Sequence, residues 1–188
     1  MQIIPGLLRN NPLKHPALSL IHISLTFALL GKQSEAQNLI DKMNRELPLD
    51  TLAQSYTLPT IRAVVALKSN NPAEAIDLLR VTEPYELAHL PLPPNALYPA
   101  YVRGLAYLQL GQGWQAATEF QKLIDHPEVA QLHHQGALAH LQLGRAQAMM
   151  GDKAAALKSY QDFLTLWKDA DPDIPILKQA KAEYVKLQ

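Results

Sequence analysis

The stretches AYVRGLAYLQLGQGWQAATEF (100–120) and HLQLGRAQAMMGDKAAALKSY (140–160) share one internal geometry. Ala100, Gly104, Tyr107, Gly111, Ala116 and Phe120 in the first correspond to His140, Gly144, Gln147, Gly151, Ala156 and Tyr160 in the second. Upstream, Ser24, Phe27, Gly31, Ala36 and Ile40 fill the matching places, and Ala63, Ala66, Asn70, Ala75 and Leu79 fill them again. The turn positions Gly31, Asn70, Gly111 and Gly151 lie 39, 41 and 40 residues apart. Repetition at such a period predicts stacked units that bury their apolar faces against one another.

Each repeated position has a physical task. Gly or Asn at the turn accepts the left-handed backbone that ends a helix. The small residue near the middle of the first helix, and the Ala early in the second, let the paired helices approach closely. The large residue four places after that Ala fills the space between neighbouring pairs. Ser34–Glu35, Pro72–Ala73–Glu74 and Asp152 supply helix starts after three of the turns. The spacing predicts helix pairs over 17–30 with 34–45, 52–69 with 72–80, 96–110 with 113–125, and 134–150 with 152–168. Pro59 predicts a kink in its helix or a start near Leu58. The link 81–95, with Pro84, Pro91, Pro93 and Pro94, reads as extended with a turn at 84–86. After the break at 169–175, Ile176, Leu177, Ala180 and Leu187 mark a last amphipathic helix, over about 175–187, that lids the open array end. The whole chain, 1–188, reads as a single repeat domain with units of about 17–45, 52–80, 96–125 and 134–168.

Composition agrees. The chain has 33 Leu and 25 Ala but only 16 Val plus Ile, and 6% aromatics. That is helix-forming rather than sheet-forming stock. Seventeen Lys plus Arg balance 17 Asp plus Glu, eight against eight in the first 94 residues and nine against nine afterwards. Such neutrality excludes an extended nucleic-acid footprint. The absence of Cys removes disulfides, thiolate metal sites and cysteine nucleophiles together. The most apolar run, 17–30, is interrupted by His22, Ser24 and Thr26 and is too short to span a bilayer, so no membrane insertion by this chain is expected. It begins behind Pro12 and Pro16 and reads as an amphipathic helix rather than a signal-peptide core.

The third and fourth units resemble the tetratricopeptide pattern, with Gly104, Tyr107, Ala116 and Phe120 on its signature positions. Ala100 and His140 stand where that pattern has Trp, and the period near 40 exceeds its 34. The runs 47–63, 96–108, 136–148 and 160–188 are similar to the C-terminal repeat region of acidobacterial tetratricopeptide proteins, many of them eukaryotic-like serine/threonine kinases. The resemblance implies an all-α array of αα-hairpins in a right-handed superhelix. It implies a sensing or docking module, extracytoplasmic if it follows a membrane-spanning kinase and otherwise cytoplasmic. No Gly-rich phosphate loop, HRD-type run or DFG stands in this sequence, so no enzymatic activity is expected of the chain itself.

In such arrays the first helix of each pair lines a concave face. The resemblance therefore marks Thr57, Thr60, Val64 and Lys68, then Tyr98, Tyr101, Leu105 and Gln109, then Leu138, Leu141, Arg145 and Met149. Tyr98, Tyr101 and Arg145 are the foremost candidates, because such side chains bury area while keeping a polar handle. An alternative role for the two Tyr is to pack the Pro-rich link against the array. Lys68, Arg103 and Arg145 are too scattered for a carboxylate clamp.

Signals of chemistry are weaker than their structural explanations. His126, His133 and His140 recur at sevenfold spacing, but Pro127 breaks the helix between them, and no metal site is expected. His140 reads as a packed core residue. Gly111-x-Gly113 is a helix turn rather than a dinucleotide loop. Asp169, Asp171 and Asp173 read as caps and solvating groups, and Glu83 and Glu86 as surface residues. Two function classes remain: a non-catalytic interaction or scaffold module, for a protein or peptide partner or for a second copy as a homodimer, and a small-molecule or lipid-binding helical shell. No cofactor is implied.

Overall fold

The computed structural model describes residues 16–88, 97–130 and 134–188. Among them every regular element is helical: α1 (Pro16–Leu29), α2 (Gln33–Glu46), α3 (Leu58–Lys68), α4 (Pro72–Leu79), α5 (Tyr98–Gln109), α6 (Gly113–Asp125), α7 (Pro127–Ala130), α8 (His134–Met149), α9 (Lys153–Leu166) and α10 (Pro175–Leu187). Helices α1 and α2, α3 and α4, α5 and α6, and α8 and α9 pack as hairpins. The second helix of each hairpin packs on the first helix of the next, giving a tetratricopeptide-like superhelix closed by α10.

The four turns are built alike. Gly31, Asn70, Gly111 and Gly151 have φ of 72°, 60°, 72° and 81°. Behind each, the next amide donates back across the turn: Lys32 to Phe27, Asn71 to Ala66, Gln112 to Tyr107 and Asp152 to Gln147, at 2.9–3.0 Å. This six-to-one bond satisfies an orphan carbonyl of the ending helix. The Asp152 side chain then accepts from the Ala155 amide at 3.0 Å and starts α9.

The paired small and large positions pack directly on one another. A Cβ on Gly104 would lie 2.7 Å from the Phe120 ring, and one on Gly144 would lie 2.9 Å from the Tyr160 ring. Ser24 with Ile40, and Ala63 with Leu79, hold the corresponding places and are fully buried. Where the first residue shrinks to Gly, the second grows to an aromatic. The volume is conserved from unit to unit while its owner changes.

Helix α3 begins at Leu58, the start that Pro59 predicts, whereas the link after α4 differs from the sequence reading. A single π-helical turn, Ala53–Thr57, precedes α3 and runs into it without a break. Pro59 has no amide to donate, and the wider turn before it removes the clash of its ring with the preceding carbonyls. The Asp50 carboxylate caps this start by accepting from the Ala53 amide at 2.8 Å. The link after α4 is not extended at its beginning. Arg80–Tyr85 continues as a 3₁₀ helix with Pro84 inside it. The remainder of that link, with Pro91, Pro93 and Pro94, lies outside the described residues, as does His133.

One apolar core runs from Ile21 on α1 to Ala146 on α8. A smaller cluster joins Leu141, Tyr160 and Phe163 to Leu177 and Ala180 of α10, with Ile176 and Leu187 half-buried beside it. The last helix therefore covers the end of the array through the residues that its periodicity marks. Asp171 accepts from the Asp173 amide, and Asp173 pairs with Lys178, at the junction before α10.

Candidate functional site

The first helices of the hairpins converge on a groove. A cavity of about 440 Å³ is lined by Leu29 of α1, Val64, Leu67 and Lys68 of α3, and Tyr98, Tyr101, Val102, Leu105, Leu108 and Gln109 of α5. Gln142 and Arg145 of α8 and Gln179 and Glu183 of α10 complete it. Five helices thus contribute, from one end of the array to the other.

The sequence candidates divide into three groups. Lys68, Tyr98, Tyr101, Gln109 and Arg145 meet in the groove. Thr57 and Thr60 are buried in the body of the array, where Thr60 donates its hydroxyl to the Tyr56 carbonyl. Leu141 belongs to the core beneath α10. Met149 is half-exposed but is not part of the groove wall.

Tyr98 and Tyr101 form one wall. Their rings stack at 6.3 Å with 17° between planes, and Tyr101 meets the Phe120 ring edge-on at 5.7 Å. Burial raises both phenols above their ordinary value; for Tyr101 the Gln142 amide and the Arg145 charge offset part of this. Both rings are neutral hydrogen-bonding surfaces, anchored in place.

Arg145 is not a free cation. Its guanidinium forks onto Glu183 of α10, Nε to Oε2 and Nη2 to Oε1, both at 2.9 Å. The Tyr160 hydroxyl donates to the same carboxylate at 2.7 Å. Burial alone would raise the Glu183 carboxyl, but the bonds from Arg145 and Tyr160 outweigh it and hold it below the usual range. Glu183 lies 38 residues from Arg145 and carried no motif, so pattern reading had no signal to find it. Lys68 is exposed and has no ion-pair partner among the described residues, which makes it the groove's open charge.

The third cation, Arg103, lies elsewhere. It is buried between the 3₁₀ segment and α6, 2.9 Å from Glu86 and 2.8 Å from Glu119. Lys122 reaches the same two carboxylates at 3.6 and 3.1 Å, and Thr82 donates to Glu86 at 3.2 Å. Glu86 is thus 3% exposed and not a surface residue, unlike Glu83. Its Arg partner sits across the Pro-rich link, hidden from any local pattern.

Nothing in this arrangement resembles a catalytic centre. Among the described residues no group of three His, Asp or Glu could hold a metal ion, and the chain has no Cys. His126 faces Glu128 at 3.2 Å, and no described helix is long and apolar enough to cross a membrane. No curated protein and no solved structure matches the chain. A tetratricopeptide repeat model matches residues 138–170, which span most of α8, all of α9 and the junction that follows. That hairpin is a tetratricopeptide-like repeat, in a fold associated with protein–protein interaction and scaffolding.

Proposed function

We propose that the groove between α1, α3, α5, α8 and α10 holds an extended or helical segment of a partner protein, and that the chain serves as the docking or sensing repeat region of a larger assembly. The observation that carries this reading is the groove's composition: a long apolar floor of Leu29, Val64, Leu67, Leu105 and Leu108, with Lys68 and Gln109 exposed at its rim. A segment with apolar side chains spaced to reach that floor, and a carboxylate or carbonyl set against Lys68, matches it. The volume also falls in the range of small-ligand pockets. Participation of all five helices favours an elongated occupant over a compact one.

The test is site-specific photocrosslinking from Leu108 and Gln109, with Leu166 on the outer surface as the control position. Adducts confined to the two groove positions, and lost in Lys68→Glu, are expected. Equal adducts from Leu166, or groove adducts indifferent to Lys68→Glu, would overturn the assignment. Tyr101 and Arg145 are poor test sites, because the first supports Phe120 and the second ties down α10.

A further inference from the structure

A second groove lies on another face of the array, between α6, α8 and the start of α9. Its volume is about 450 Å³. Ala117, Leu143 and Met150 form the floor, Trp114 one wall, and Asp125 and Asp152 stand at the edges. Along α8, the residues facing this groove, Leu143 and Gln147, are offset by about a third of a turn from Gln142 and Arg145, which face the first, and Met150 follows at the turn. The two grooves do not share a wall.

Trp114 is 71% exposed and Met150 is 43% exposed. An indole so placed adds nothing to the core. Because the array repeats, the same groove occurs between α2, α3 and α4 and shows what the fold alone requires. There it shrinks to about 260 Å³, and beside Val65, Ala66 and Leu78 it is lined by Gln37, Arg62, Ser69, Asn71 and Glu74, with no aromatic residue. Counted from the turns, Ser34 stands where Trp114 does, Arg62 where Leu143 does, and Ser69 where Met150 does. At the junction between these two, Arg103 takes the place of Leu143 and is consumed by Glu86 and Glu119. Packing of the repeats is thus compatible with polar residues at all three places. Of these two grooves, the one at the α6/α8 junction has an aromatic wall, and it has Leu143 and Met150 where the other has Arg62 and Ser69.

The charge at this groove has a sign. Lys122 lines it, but its ammonium is drawn inward to Glu119 and Glu86. Asp125 accepts from the Gln121 side-chain amide and Asp152 from the Ala155 amide, and among the described residues neither carboxylate has a cation as partner. An indole face beside two unneutralised carboxylates attracts a planar cation. A guanidinium stacks on indole and forks onto carboxylate, while its methylene stem lies on apolar floor.

We propose that this groove is a second docking site, which takes an arginine side chain flanked by apolar residues on a partner protein. The chain would then engage partners on two faces at once, which is what a scaffold requires and a single peptide groove does not supply. This holds whether or not the first groove binds a peptide.

The probe is a fluorescein-labelled peptide with one arginine between two leucines, capped at both ends, titrated with the full chain and read by anisotropy. Saturable binding is expected. Replacing the arginine by citrulline, which keeps the shape and removes the charge, should weaken it by about tenfold. Trp114→Ser, which copies the residue at the equivalent place in the first unit, should weaken it by about fivefold, and Asp125→Asn by about threefold. Both residues are on the surface, so the variants are expected to melt like the parent. Lys68→Glu in the first groove should leave the binding unchanged. Absence of saturable binding would overturn the proposal, as would citrulline binding as well as arginine or insensitivity to Trp114→Ser. A loss of binding in Lys68→Glu equal to that in Trp114→Ser would also overturn it, by placing the peptide in the first groove instead.

Discussion

Two arginines in successive hairpins end in opposite situations. Arg103, eight positions before the turn of its hairpin, turns into the junction between hairpins two and three and is sealed there by Glu86 and Glu119. Arg145, six positions before its own turn, faces the groove and forks onto Glu183 of the last helix while still partly exposed. Both are ties across the array, made with residues far away in the chain. They differ in how much water each has given up. A buried pair adds little over an apolar one of the same shape, but removing one partner leaves the other charge stranded. A half-exposed pair keeps its solvent and loses less either way.

That difference sets the largest predicted effect. Arg103→Met should cost about 3–5 kcal/mol, because two carboxylates then share a dry junction with only Lys122. Denaturant unfolding would read the change. Adding Glu86→Gln and Glu119→Gln to Arg103→Met should restore most of the loss. If the triple variant is as unstable as the single one, the stranded charges are not its cause and the contrast between the two arginines fails.

Next in size is a change that bears on both hairpins equally. Gly104→Ala and Gly144→Ala place a Cβ against the rings of Phe120 and Tyr160. Both rings are buried, so neither can swing aside freely. Each substitution should cost about 1–3 kcal/mol by thermal or chemical unfolding. Pairing Gly104→Ala with Phe120→Leu recreates the Ala63–Leu79 combination of the second hairpin and should recover part of the loss. A double variant no better than the single one would mean that the hairpins do not conserve volume in the way their pairs suggest.

What the sequence disclosed follows from where information is local. The turns, the Gly–aromatic contacts and the covering role of Leu177 and Ala180 rest on spacing within about 20 residues, and periodicity displays that. The resemblance to tetratricopeptide arrays marks Tyr98, Tyr101, Leu105 and Gln109 on one face of α5, and all four line the cavity. The ion pairs were not legible. Glu86 lies in a segment whose proline content reads as extended, whereas residues 80–85 wind into a 3₁₀ helix that carries Glu86 inward to Arg103. Glu183 lies on a helix recognised only for its apolar stripe, and its charge meets Arg145 because α10 docks at one particular angle. Arg145 lines the cavity, but its guanidinium is committed to Glu183. Lys68 carries the charge that remains open there.

A smaller effect separates the exposed tie from the buried one by pH. Glu183 is held below its ordinary value of about 4.5, so folding favours its ionised form. The stability it contributes is present above that value and is lost as pH falls through the lower folded pKa. Glu183→Gln should reduce stability at pH 7 by about 1 kcal/mol, after allowance for the solvent around the pair. It should also flatten the decline below pH 4.5 that is expected of the parent. An unchanged acid limb in the variant would show that Glu183 does not hold α10 through its charge.

The smallest effect concerns His140, which occupies the position that is Ala100 in the preceding hairpin. Ala100 is fully buried, whereas His140 is half-buried on α8. Burial disfavours its charged form and lowers its pKa, with the Asp162 carboxylate opposing and Lys158 reinforcing the shift. The unfolded chain therefore takes up a proton at this residue near pH 6.5, before the folded one does. Stability should decline as pH falls below 6.5 and level off once the folded pKa is passed. Substituting His140→Ala copies the neighbouring hairpin and removes the titration, so its unfolding midpoint should vary less between pH 7 and pH 5 than the parent's. If both proteins decline equally across that window, the half-buried imidazole is not the source, and the two hairpins are alike in their response to acid despite the difference at this position.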